Sequence, residues 1–304
     1  MTQTTTSASQ RESITGLAYG LAAFGAWGIV PVFWKQLTHI PTPELLVQRV
    51  VWGLVAFLLV LWLRGRGRDL RRALTDRRAL GALALSAALL ASNWLTFLYA
   101  MATDRVLHAS LGYFINPLVS MLLGVLLLGE RLRRAQWLAV ALAAVGVSLY
   151  ATQTDTVPWI SLVLAGTFGL YGLLRKTVAI DALPGSTIEM VVLIVPALGY
   201  GLFLQMNGQS HFGHADALTH GLFLGTGLVT ALPLLWFANA VRRLPLTTVG
   251  FLQYLAPTGQ FLLAIFIYDE PFGGVHLASF FAIWTGLALF TGDSWWRLRQ
   301  LRPR

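Results

Sequence analysis

The stretch Leu107–Glu130, LHASLGYFINPLVSMLLGVLLLGE, is helix-length, almost wholly apolar, interrupted by Pro117 and closed by Glu130. The chain then repeats the design, since Thr247–Glu270 reads TTVGFLQYLAPTGQFLLAIFIYDE. Pro117 and Pro257 stand 140 positions apart, as do Glu130 and Glu270. Phe97 and Phe237 keep that offset upstream, and Gly146 and Gly286 keep it downstream. One unit is therefore written twice, and the fold must be built from two similar halves.

Of the 304 residues 56% are hydrophobic and only 12% charged, against about 25% charged in a soluble domain. So few charges cannot cover a wetted surface, and the chain reads as an all-α integral membrane protein whose first partner is the lipid bilayer. It has no cysteine, which excludes disulfides and thiolate metal sites. The net charge of +9 would suit a nucleic acid, but the arginines gather at the ends of apolar runs and the aromatics lie inside them. No nucleic acid is expected. Residues 1–13 form a polar tail. The first apolar run is longer than a signal-peptide core and lacks an A-x-A cleavage site, so it reads as a retained span.

Ten apolar runs follow, at 14–35, 44–63, 79–101, 106–128, 135–152, 158–179, 187–206, 217–240, 246–268 and 274–293. Each is about 20 residues, enough to cross roughly 30 Å of hydrocarbon as a helix. They are continuously apolar, not alternating as barrel strands are. With both termini on the cytoplasmic side, that side holds 19 of the 22 Lys and Arg, including those of the 64–78 loop and the basic tail 294–304. Such a bias sets orientation. The repeats are residues 14–152 and 153–293. Five spans per repeat is odd, so the second enters the membrane inverted, and a site between inverted repeats can open to either side by rocking. The plainer alternative is that duplication only enlarged a bundle.

The paired fourth and ninth runs carry the polar faces. Tyr113, Asn116 and Ser120 are spaced three and four apart, as are Gly250, Gln253, Pro257 and Gln260. Residues so spaced share a helix face. An amide in hydrocarbon needs a partner, so both faces should point inward. Pro117 and Pro257 each free a carbonyl one turn earlier and kink the helix, and Pro31 does so in the first run. With Trp27, Asn93, Trp94, Tyr171, Trp236, Asn239 and Tyr254 these residues would line an aromatic cavity with a few amides, suited to a partly apolar organic solute. The bland reading is interhelical packing. For Trp34, near a run's end, an aromatic-belt role is favoured.

Arg49 lies about two turns inside the second run, where a charge costs about 2.5–3.5 kcal/mol at the bilayer centre and less near an end. It can snorkel, pair with Glu44, or face the cavity as an anion anchor or charge relay. Its repeat mate is Glu189, which the Ser186-x-x-Glu189 spacing also marks as a helix cap. His108 and Glu189 are the candidates for proton coupling. Glu130 and Glu270 read as helix terminators. His211-x-x-His214 has no carboxylate or cysteine cluster in sequence around it, so no metal and no cofactor is expected. No nucleotide-binding loop or hydrolase motif is present.

The runs AWGIVPVFWK (26–35), QRVVWG (48–53), SNWLTF (92–97), ASLGYFINPLVS (109–120), LGERLRRAQWLAV (128–140), YGLLRK (171–176) and VGFLQYLAP (249–257) resemble the RarD-type permeases of the EamA group, in the drug/metabolite transporter superfamily. The resemblance spans nearly the whole chain. It implies a ten-helix bacterial inner-membrane carrier with both termini inside, exporting small organic solutes, with a proton or counter-solute as coupling partner. The family often has histidine at Gln48 and glutamate at His108, so coupling through those groups is in question for this chain. A lipid flippase on the same scaffold is the alternative. An intramembrane enzyme would need a catalytic pair, and the sequence offers only scattered groups.

Overall fold

A computed structural model describes residues 2–103, 105–152, 159–267 and 273–300, and every regular element among them is a helix. The helices are α1 (Thr2–Ile29), α2 (Pro31–Lys35), α3 (Thr42–Leu63), α4 (Gly67–Thr75), α5 (Arg77–Ala102), α6 (Val106–Leu128) and α7 (Arg134–Ala151). They continue with α8 (Trp159–Thr177), α9 (Ala182–Met206), α10 (Ala217–Arg243), α11 (Leu246–Gln253), α12 (Leu255–Phe266) and α13 (Gly274–Gln300). Among the described residues eight helical stretches are long and apolar enough to cross a membrane. The other two expected runs are α8, whose 19 residues end in Arg175 and Lys176, and the pair α11–α12, broken at Tyr254. The break has a local cause. Pro257 has no N–H to return to the carbonyl of Gln253, so the ladder is interrupted just before it. Pro117 acts more mildly, since α6 runs through it unbroken. Pro31 opens α2 after a turn at Val30.

Three elements differ from the sequence expectation. The polar tail is helical from Thr2 onward, with no glycine or proline before Gly16 to stop it. The basic 64–78 segment contains α4, whose Ala73 is buried with Leu83 and Ile188 while its arginines face outward. The seventh run begins at Ala182, capped in position by Asp181, so Glu189 lies two turns inside α9 and does not cap it. Glu270 lies outside the described residues.

The outer surface is apolar: Val195 is 73% exposed and Phe266 77%. That suits hydrocarbon, where only helices satisfy the backbone internally. Two cores lie inside. One joins α1, α3, α5, α8, α9 and α10 through Phe24, Phe57, Leu90, Tyr171 and Phe237. The other joins α6, α7, α11 and α13 through Phe114, Tyr150, Phe251 and Phe280. Contacts recur in mirrored form. A Cβ added at Gly146 would stand 2.6 Å from the Ser279 carbonyl oxygen, and one at Gly286 would stand 2.7 Å from the Ala139 carbonyl oxygen. Each contact is the other with its two partners exchanged and shifted by the repeat offset. Small residues here let α7 and α13 approach backbone to backbone. Glu130, at the end of α6, accepts from the backbone N–H of Leu246 (2.6 Å) and Thr247 (2.8 Å), so it caps the start of α11. Its role as a terminator thus extends to a partner helix.

Candidate functional site

Three layers of side chains lie between the ends of the bundle. The first is centred on Arg49, whose Cζ sits 4.1 Å from the centroid of the Trp94 ring and 5.7 Å from that of Trp34. Tyr113 on α6 lies nearby, and its ring lies 6.1 Å from that of Phe97. Arg49 Nε is buried without a hydrogen-bond partner. Pairing with Glu44 does not form. Glu44 stands in the first turn of α3 and is engaged by the loop before α10, accepting from Ser210 Oγ (3.1 Å) and the N–H groups of His211 (2.7 Å) and Phe212 (3.1 Å). Its other oxygen lies 2.7 Å from His211 Nδ1. Gln48, beside Arg49 in sequence, accepts from Trp52 Nε1 at 3.0 Å. A guanidinium stacked on an indole is stabilised by the ring face while its edge donors stay free.

The second layer is aromatic. The Trp27 ring lies 5.5 Å from Phe24, 5.8 Å from Phe168 and 5.8 Å from Phe237. Tyr171 stacks on Phe237 at 5.7 Å and 14°. Each such pair adds about 0.5–1.5 kcal/mol beyond area burial, so the layer is a cohesive plug between α1, α8 and α10.

The third layer is ionic and buried. Arg175 is 0% exposed and Glu189 1%. Arg175 Nε lies 3.6 Å from Glu189 Oε1, and Tyr171 donates to Glu189 Oε2 at 3.3 Å. Ser86 also donates to Glu189, and Arg175 Nη2 donates to the Ala182 carbonyl at 3.0 Å. Sequence reasoning missed Arg175 and Ser86, because Arg175 reads as one more cation at a helix end. The available signal was the spacing of Tyr171 and Arg175 in YGLLRK, one turn apart on one face.

The remaining candidates fall into two groups. Asn116 is 7% exposed with its Oδ1 unpartnered, and Gln253 donates to Ser120 Oγ at 2.9 Å while its own Oε1 has no partner. These acceptors lie where α6 crosses α11, one turn beyond the Tyr113 carbonyl that Pro117 cannot satisfy. Elsewhere the polar groups tie helices together. Asn93 donates to the Leu164 carbonyl (2.8 Å) and Thr167 Oγ1 (3.0 Å), joining α5 to α8. Gln260 donates to the Trp27 carbonyl at 3.1 Å, joining α12 to α1. Asn239 bonds within α10 and accepts from Arg243 at 2.8 Å, away from Arg49. Trp236 packs at the edge of the first core, and Tyr254 is wholly buried in the second with its hydroxyl unpartnered. His108 accepts from Ser161 through its backbone carbonyl at 2.5 Å. No cluster of three or more metal-ligating side chains occurs among the described residues.

The arginine-rich end is latched. Lys176 Nζ donates to the carbonyls of Val241 (3.2 Å) and Leu244 (2.5 Å), and Arg242 donates to those of Val178 and Ile180. Asp181 bridges Arg66 (2.5 Å) and Arg242 (3.0 Å). The hydrogen bond from Arg66 holds the Asp181 carboxyl below its ordinary value. A depressed carboxylate contributes stability above its unfolded pKa and loses it as pH falls through the folded value. The bridge is therefore whole at neutral pH and weakens in acid, below about pH 4. Thermal unfolding in detergent should show Asp181→Asn losing that acid sensitivity. At neutral pH the loss should stay below about 1 kcal/mol and shrink in salt, because Asp181 is half exposed.

A cavity of about 550 Å³ lies beside these layers, between α3, α5 and α9, and Trp94 forms part of its wall. Its lining is otherwise nearly all apolar, including Val50, Leu98 and Leu193, with Tyr99 and Tyr200 among the few polar groups.

Known proteins share this architecture. The EamA-like transporter family matches residues 14–152. Protein RarD of Streptomyces exfoliatus is 44% identical over 97% of this chain and 94% of its own length. An uncharacterized transporter of Pseudomonas aeruginosa is also 44% identical, over 94% of this chain and 96% of its own. A crystal structure of a protein only 17% identical shares the fold with a TM-score of 0.71, covering 91% of this chain and 97% of that one. Identity of this extent along nearly the whole chain, with the helical membrane fold described above, establishes that the chain belongs to the RarD-type permeases of the EamA group of transporters.

Proposed function

We propose that this membrane transporter is a secondary carrier of small organic solutes, working by alternating access between two inverted five-span halves in a bacterial inner membrane. The observation that carries the reading is an asymmetry at the two ends. At the arginine-rich end α8 packs on α10 through Tyr171, Phe237, Lys176 and Arg242. The repeat offset relates that pair to α5 and α1, which have no comparable packing among the described residues. One end is latched while its counterpart is apart, as expected for one limb of a rocking cycle. The reciprocal Gly146–Ser279 and Gly286–Ala139 contacts support the inverted repeat. Trp27, Arg49, Trp94, Tyr113, Asn116 and Gln253 are the residues we assign to the solute site. Asn93, Gln260, Tyr171 and Tyr254 we assign to its walls, and Glu189 and His108 remain our candidates for coupling a proton.

Cysteine accessibility tests the cycle, and a cysteine-free chain gives a clean background. In sealed vesicles Phe97→Cys should be alkylated readily from its own side, and Phe168→Cys poorly from the arginine-rich side. Adding Lys176→Ala with Arg242→Ala should reverse the order. Two positions that respond independently would sink the rocking model. The lateral cavity keeps a flippase in view, but its apolar lining offers little for a lipid headgroup crossing the bilayer.

A further inference from the structure

We infer that Arg49 is the head-group seat for an organic monocarboxylate with an apolar, preferably aromatic, body. This names the substrate class of the carrier proposed above and rests on that reading. Three observations converge. The guanidinium Cζ sits over the Trp94 ring, 4.1 Å from its centroid, and lies 5.7 Å from the centroid of Trp34. Stacking occupies the faces of the plane and leaves the edge, the geometry in which arginine takes a carboxylate through two parallel N–H donors. Arg49 as a residue is only partly buried, and its buried Nε has no partner in the protein. Glu44, the carboxylate next in line on α3, is held by Ser210, His211 and Phe212.

The other copy provides an internal comparison. Glu189, the repeat mate of Arg49, faces Arg175, so at that end the chain supplies both the arginine and the carboxylate. At Arg49 the chain supplies the cation, and the solute would supply the anion. A single guanidinium suits a single negative charge. A phosphoryl dianion would keep a net charge in a site walled by Trp94, Trp34, Phe97 and Tyr113, where an uncompensated charge is costly. The same rings accept an apolar or aromatic body.

The test is equilibrium binding to the purified full-length protein in nanodiscs, read by quenching of tryptophan fluorescence and by thermal shift. The probes are hydrocinnamate, hydrocinnamyl alcohol, phenethylamine and phenyl phosphate. Hydrocinnamate should bind saturably, and the alcohol, the amine and the phosphate should each bind at least about tenfold more weakly. Arg49→Gln should erase the preference for carboxylate over alcohol, and Arg49→Lys, which keeps the charge but not the planar fork, should keep part of it. The preference in the unmodified protein stands as a test even if a variant fails to fold. Equal binding of acid and alcohol, no binding of hydrocinnamate, or an unchanged preference in Arg49→Gln would each overturn the inference. The accessibility experiment needs no ligand. A reversal there with failure here removes the monocarboxylate and leaves the carrier, while failure there counts against the rocking itself.

Discussion

Arg175→Met should lower stability by about 3–5 kcal/mol, because it strands the buried Glu189 carboxylate without its counter-charge. The expectation follows from geometry. Both groups are almost wholly buried, and Glu189 is held by Arg175, Ser86 and Tyr171 together. Removing the guanidinium takes away the only opposite charge found at Glu189 among the described residues and leaves two neutral hydroxyl donors. Combining Arg175→Met with Glu189→Gln should recover most of the loss. The amide oxygen can accept from one of the hydroxyls of Ser86 and Tyr171 while the amide NH2 donates to the other, and no charge remains to be desolvated. Glu189→Gln alone should cost nearly as much as Arg175→Met, since Arg175 would then hold only the Ala182 carbonyl. Thermal unfolding in detergent across the four proteins gives the coupling directly. A double variant no better than the worse single one would mean that the pair is not a unit.

Gly146→Val and Gly286→Val should each destabilise the protein by about 1–3 kcal/mol through overpacking. The contact each added side chain meets is backbone, at 2.6 Å for Ser279 and 2.7 Å for Ala139, and backbone cannot swing aside as a side chain can. The two costs should not add. Both variants push α7 from α13, so the second enters a seam the first has already opened. Gly25→Ala is the control, because a Cβ there meets nothing within 4 Å. It should be neutral or stabilising by up to about 1 kcal/mol, from helix propensity alone. Equal losses at Gly25 and Gly146 would show that the seam is not closely packed.

Much of the architecture is legible in residue order because the signals are local. The apolar runs mark the helices within a few residues, since helix length in hydrocarbon is set by rise per residue and the absence of charge. The break at Tyr254 follows from Pro257, whose missing N–H is a property of one residue. α9 starts before the point the Ser186-x-x-Glu189 capping spacing predicts, since Pro184, Gly185 and Ser186 are buried inside the helix. Tertiary packing overrides such weak local preferences. The candidate site was legible in its residue types but not in their partners. Asn93, Gln260 and Asn239 all look like cavity amides, and each is engaged by a carbonyl or side chain that no spacing rule identifies.

By itself the sequence determined the membrane class, the duplicated unit and the kinship with RarD-type permeases. These depend on composition, periodicity and similarity, which are carried along the chain. Only the tertiary structure decided that Arg49 lies on Trp94 while Glu44 turns to another loop, and that Arg175 is sealed against Glu189 rather than left at a surface. The reason is that a charge in a low-dielectric interior is settled by whichever partner the fold brings within a few ångströms, and these partners belong to different helices.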